Sequence, residues 1–106
     1  MIESQSPYYI YPSEGPTVAI TSVIFNGRNY ALWRKAIRIA LKAKNKLGFI
    51  EGTLAKPTLQ KGEDRSKLDA WEMVNSMICS WIVNVIDPKL HTSVAYAETA
   101  QAMWRA

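Results

Sequence analysis

The sequence predicts an all-α fold, a small bundle of about four helices with an extended N-terminal arm. Three observations carry this reading. Two long segments repeat apolar residues at three- and four-residue spacing. Asp87-Pro88 restarts a helix after the second of them, with Asp as N-cap and Pro at the first helical position. Pro12 and Pro16 keep helix out of the start of the chain. The expected layout is a flexible tail at 1–7, then one domain at 8–106. Within it lie an extended arm at 8–25, a helix at 29–45, a loop at 48–65, helices at 66–85 and 88–97, and the start of a last helix at 99–106.

In the arm, YYIYPSEGP mixes aromatics with turn formers. The following TVAITSVIF is β-branched and apolar, which suits extended backbone and allows a short strand or hairpin within 8–25. Asn29 is the expected N-cap of the first helix. Tyr30, Trp33, Ile37, Ala40 and Leu41 share one face of it and are assigned to the core. Arg34, Arg38 and Lys42 step by four along another side, with Lys35 and Lys46 nearby. Asn45 or Gly48 closes the helix, and Lys42, Lys44 and Lys46 suit the negative end of its dipole.

The loop after it is punctuated by Gly48, Gly52, Pro57 and Gly62, and residues 56–65 are expected to face solvent. Phe49, Ile50 and Leu54 are placed against the core. The second long helix carries Trp71, Val74, Ile78, Trp81, Ile82 and Val85 on its inner stripe, which Leu68 extends by a turn. Met73 and Met77 add a second apolar edge, so burial on more than one side is expected. Glu63, Asp64, Asp69 and Glu72 favour the positive end of its dipole. Leu90 and Val94 point inward from the third helix, and Met103 and Trp104 belong to the last. The chain stops in mid-pattern, so the natural domain is expected to continue.

Composition excludes several function classes. The chain has 106 residues, 48% of them hydrophobic, enough for a single domain with its own core. One cysteine, Cys79, excludes an intramolecular disulfide framework and a cysteine-based metal site. It reads as a small core residue. His91 stands alone on a predicted helix and reads as a surface or half-buried residue. No phosphate-cradling glycine loop and no calcium-loop spacing occurs. Neither a membrane span nor a signal peptide is present in the sequence. The expectation is a protein that is not an enzyme, takes no cofactor, metal or small-molecule substrate, does not enter the membrane, and resides in the cytoplasm or nucleus.

The net charge is +4, and seven of the thirteen Lys and Arg fall between Arg28 and Lys46, where there is no acid. Arg34, Lys35, Arg38, Lys42, Lys44 and Lys46 are therefore the candidate nucleic-acid contacts, against the plainer reading of a solvated helix face. Tyr8, Tyr9 and Tyr11 are candidate protein contacts, since interfaces favour Tyr, against folding back on their own core. Phe49 and Ile50 follow the basic helix in an exposed-type turn and join them as candidate protein contacts. Trp33, Trp71, Trp81 and Trp104 are core residues first.

Four blocks together resemble the N-terminal, capsid-type region of the gag polypeptide of plant copia-type LTR retrotransposons. The arm pattern is carried by Tyr9, Pro12, Ser13, Glu14 and Pro16, and the next by Gly27, Asn29, Tyr30 and Trp33. Ala40 through Thr53 carry the third, and Trp71, Asn75, Ser80, Trp81, Ile82 and Asn84 the fourth. The resemblance implies a helical capsid-type domain whose class assembles into virus-like particles that package element RNA. It also implies that the zinc knuckle used for tight RNA handling is not in this piece, because one Cys and one His stand far apart. The resemblance departs at the last helix: Thr99 is followed three residues later by Ala102, so the capping box loses its reciprocal bond.

The function expected is gag-like self-association without catalysis, with the chain itself as partner in a dimer or larger homo-oligomer. The alternatives are a basic RNA-binding module and a domesticated gag-derived domain docking on a host protein.

Overall fold

A computed structural model describes residues 5–59, 65–94 and 96–105. Four α-helices and one 3-10 helix occur among them: α1 (Tyr30–Ala43), α2 (Gly48–Glu51), α3 (Ser66–Asn84), a 3-10 helix (Pro88–Ser93) and α4 (Ala100–Arg105). No sheet forms among the described residues. Residues 1–4 of the expected tail, and Glu63 and Asp64 with their expected dipole role, lie outside them.

The arm is a string of turns rather than a strand or hairpin. Its internal bonds are short-range, such as Glu14 N–H to the Tyr11 carbonyl at 2.9 Å and Val18 N–H to the Gly15 carbonyl at 3.2 Å. Phe25 alone makes an isolated parallel bridge, with Ile86. Its N–H donates to Val85 O at 2.8 Å and its carbonyl accepts from Asp87 N–H at 2.9 Å. This bridge fixes where the arm ends, beside the C-terminus of α3.

Asn29 precedes α1 but does not cap it through its side chain. Its Oδ1 accepts from Asn26 N–H at 3.0 Å and its Nδ2 donates to Ile24 O at 2.8 Å, so the side chain ties the preceding turn instead. The other end is closed by Asn45 in the left-handed region, φ 59°. Asn45 N–H reaches Lys42 O at 3.0 Å and Lys46 N–H reaches Leu41 O at 2.8 Å, the paired bonds of a Schellman motif.

Within the predicted loop the chain makes one helical turn, α2. Gly52, φ 91°, ends it, and its N–H reaches Gly48 O at 2.9 Å. Glycine is needed at 52 for the left-handed backbone, and the end of the Gln101 side chain of α4 rests in the space a Cβ would take. The segment beyond α2 is tied down by Trp71 Nε1 donating to Leu54 O at 2.9 Å.

Where an α-helix was predicted at 88–97, a 3-10 helix runs over Pro88–Ser93. Asp87 caps it, accepting from Lys89 N–H at 3.0 Å, and Pro88 follows as expected. The segment is short and holds His, Thr and Ser, weak helix formers, and short pieces readily tighten to i→i+3 bonding. Half of the capping box of α4 survives, and a residue of another helix adds to it. Thr99 Oγ1 accepts from Ala102 N–H at 3.1 Å, and the side chain of buried Asn75 on α3 accepts from Ala100 N–H at 2.8 Å.

One core cluster joins all four helices. Trp33, Ile37 and Leu41 of α1 are buried with Trp71, Val74, Ile78, Trp81 and Ile82 of α3 and Met103 and Trp104 of α4. α4 packs closely against both α2 and α3. Two core assignments need correction. Tyr30 is 45% exposed, because it begins α1 at the rim and meets Phe25 only edge-on. Met73 is 53% exposed, so α3 is buried on one side with Met77 at its margin.

Candidate functional site

At the C-terminal end of α1, the basic row serves to hold the arm. Lys46 is only 1% exposed, and its ammonium donates to the carbonyls of Tyr9 and Lys44. Lys44 pairs with Glu14 at 2.7 Å and lies 5.1 Å from the centroid of the Trp81 ring. Asn45 Nδ2 donates to Gln5 O at 2.8 Å. From α3, Trp81 Nε1 donates to Gly15 O at 2.8 Å and Asn84 Nδ2 to Pro16 O at 2.6 Å.

The electrostatics follow from that burial. Burial pushes the Lys46 pKa below the ordinary lysine value; the Glu14 charge opposes this and Lys44 adds to it. Burial would raise the Glu14 carboxyl. The bonds from Lys44 and from Tyr11 N–H, with the charges of Lys44 and Lys46, outweigh it and leave the pKa below the usual carboxylate value.

Several expected contacts are thereby corrected. Lys44 and Lys46 are withdrawn as nucleic-acid contacts, since their charges face the arm. Phe49 and Ile50 are withdrawn as protein contacts: α2 turns them inward, leaving them 2% and 1% exposed. The Phe49 ring lies between Tyr8, 6.0 Å away and edge-on, and Trp71, 5.9 Å away. Tyr8 and Tyr9 are half-buried against their own domain, and Tyr11 remains 49% exposed.

Arg34 and Arg38 turn toward a second place. Together with Tyr30, Glu51, Trp104 and Arg105 they line an open cleft of about 400 Å³. Arg34 Nη1 donates to the Tyr30 hydroxyl at 3.1 Å, and its guanidinium lies 5.1 Å from the Trp104 ring centroid. Arg38 pairs with Glu51 at 3.0 Å. Of the six candidate cations, Lys35 and Lys42 alone are exposed, on the outer side of α1.

That outer side carries residues not singled out from the sequence. Leu32 and Ile39 are 61% and 59% exposed, and Ala36 and Ala43 lie on the same side, away from Trp33, Ile37 and Leu41. The signal was present as the spacing 32, 36, 39, 43, next to the more conspicuous basic row. Arg105 was missed as well, because its place depends on how α4 docks.

Burial raises the Cys79 pKa, which disfavours its thiolate. His91 is half-buried with a ring nitrogen 2.8 Å from Ile86 O. Among the described residues no group of side chains suits a metal ion, and no helix is long and apolar enough to cross a membrane.

Comparison with known proteins gives a family match. Residues 11–58 match the family described as Gag-polypeptide of LTR copia-type. No curated protein and no solved structure matches the chain. The similarity to the copia-type LTR gag polypeptide family spans most of the arm and all of α1 and α2.

Proposed function

We propose that this domain is a non-enzymatic assembly module of gag type that associates with its own copies through the outer face of α1. The observation that carries this is the stripe of exposed Leu32, Ile39 and Ala43 with half-buried Ala36 on a helix whose opposite face is already buried. The spacing alternates four and three, the seam of paired helices. A two-fold pairing of such a stripe with itself is self-complementary. The copia-type gag match supports a second copy as the occupant.

Lys35 and Lys42 flank the stripe, so pairing brings like charges together and salt should strengthen it. The test is light scattering coupled to size exclusion, over a wide concentration range at low and high salt. The expected mass climbs with concentration, more steeply at high salt, and a Leu32→Ser/Ile39→Ser variant stays monomeric with unchanged circular dichroism. A monomer at every concentration and salt overturns the proposal. An RNA-binding module predicts the opposite salt dependence, since phosphate contacts weaken as salt rises. Its decisive variant is Lys35→Glu/Lys42→Glu.

A further inference from the structure

The cleft between α1 and α4 carries an inference that does not depend on the self-association reading. Arg34 and Arg38 enter it from α1 and Arg105 from the end of α4, with Tyr30 and Trp104 as aromatic walls. Glu51 is the one acid in its lining, and it faces Arg38. Three guanidiniums against one carboxylate leave a local excess of positive charge that attracts an anion.

Arg34 is fixed before any ligand arrives. The Tyr30 hydroxyl holds Nη1 at 3.1 Å and the Trp104 ring lies under the guanidinium. A preorganised side chain loses less freedom on binding. It keeps most of its five N–H donors for another acceptor. A carboxylate engages one planar fork. A phosphate presents oxygens in several directions and suits guanidiniums arriving from two helices. The half-exposed Tyr30 beside them offers a ring on which a base can stack. At about 400 Å³ the cleft lies within the range of small-ligand sites.

We infer that this cleft binds a nucleoside phosphate, with Arg34 and Arg105 on the terminal phosphate and Tyr30 against the base. A free nucleotide and the phosphorylated end of a single strand present the same chemistry. The test is calorimetric titration of the intact chain with AMP, adenosine, inorganic phosphate, and one short oligonucleotide with and without a 5′-phosphate.

AMP is expected to bind and adenosine not. Arg105→Gln, at an exposed position, should weaken AMP about tenfold with unchanged circular dichroism, the loss of one charge-assisted contact. Arg34→Lys keeps the charge but loses the fork, and should weaken it comparably. Tyr30→Ala should weaken AMP more than inorganic phosphate. A phosphorylated oligonucleotide binding more tightly than AMP identifies a strand end as the source; equal binding identifies the free nucleotide. Absence of binding by AMP and by the phosphorylated oligonucleotide overturns the inference. So does binding that Arg105→Gln and Arg34→Lys leave unchanged while Lys35→Ala/Lys42→Ala abolishes it.

Discussion

Lys42 and Lys46 stand four residues apart in one basic row, and the fold treats them oppositely. Lys42 is exposed on α1, while Lys46 is buried under the arm with its ammonium on two carbonyls. The difference arises at Asn45, whose left-handed backbone reverses the chain between them. Residue type and spacing placed both in a cationic face. A single turn sends one to solvent and the other into a latch. The same contrast divides α1 as a whole: its C-terminal end holds the arm, and its outer side is left available.

The latch side should be the costly one to damage. Trp81→Ala is expected to lose about 3–5 kcal/mol, because the ring is fully buried and its Nε1 anchors Gly15; urea denaturation measures this. Trp81→Phe and Trp33→Phe sharpen the point. The first removes one of the two donors to the Gly15 carbonyl, leaving Val18 N–H. The second removes a buried Nε1 that has no partner among the described residues, so it should cost less.

The two lysines form the next comparison. Lys46→Ala should lose about 1–3 kcal/mol, since the part-buried carbonyls of Tyr9 and Lys44 lose a charged donor. Lys42→Ala should stay within about 0.5 kcal/mol, as is usual for an exposed substitution. Equal losses in a denaturation series would break the contrast.

The latch should also respond to acid. Glu14 has a folded pKa below its ordinary value, so its contribution is complete above the unfolded pKa of 4.5 and is lost as pH falls through the folded one. Stability followed downward from neutral pH should therefore drop in that window, and Glu14→Gln should flatten part of the drop. At the alkaline side Lys46 acts in the opposite sense. Its lowered pKa makes stability rise as pH climbs from the folded value toward 10.5. The smallest effect is on the outer face, where Leu32→Ser should change stability by no more than about 0.5 kcal/mol. Thermal melts of that variant check that any loss of association is not a loss of fold.

Much of the architecture was legible because it is local. The inner stripes of α1 and α3 follow from apolar spacing, and the Asp87-Pro88 restart from capping chemistry. Asn45 was one of two residues expected to end α1, and it does so through the Schellman bonds. Errors came where a residue's partner is distant in sequence. Asn75 caps α4 from another helix, and no pattern around Thr99 reveals it. Phe49 and Ile50 lie in a glycine-bounded segment that reads as a loop, until Tyr8 and Trp71 close over the Phe49 ring. The basic row looked like one surface because helical periodicity cannot say which cations meet an acid or a carbonyl. Glu14 is thirty residues away from Lys44 in sequence and 2.7 Å away in space.

By itself the sequence determined that this chain is helical, that its tryptophans form the core, and that residues 11–58 are similar to copia-type gag. Those properties reside in residue type, in short-range spacing and in blocks read in order. Tertiary structure alone decided which charges are free. The docking of the arm buried Lys46 and paired Lys44, α2 drew Arg38 to Glu51, and α4 carried Arg105 and Trp104 to Arg34. Charge has no fixed role along a chain, because its energy depends on what lies within a few ångströms, and only the packed fold sets those distances.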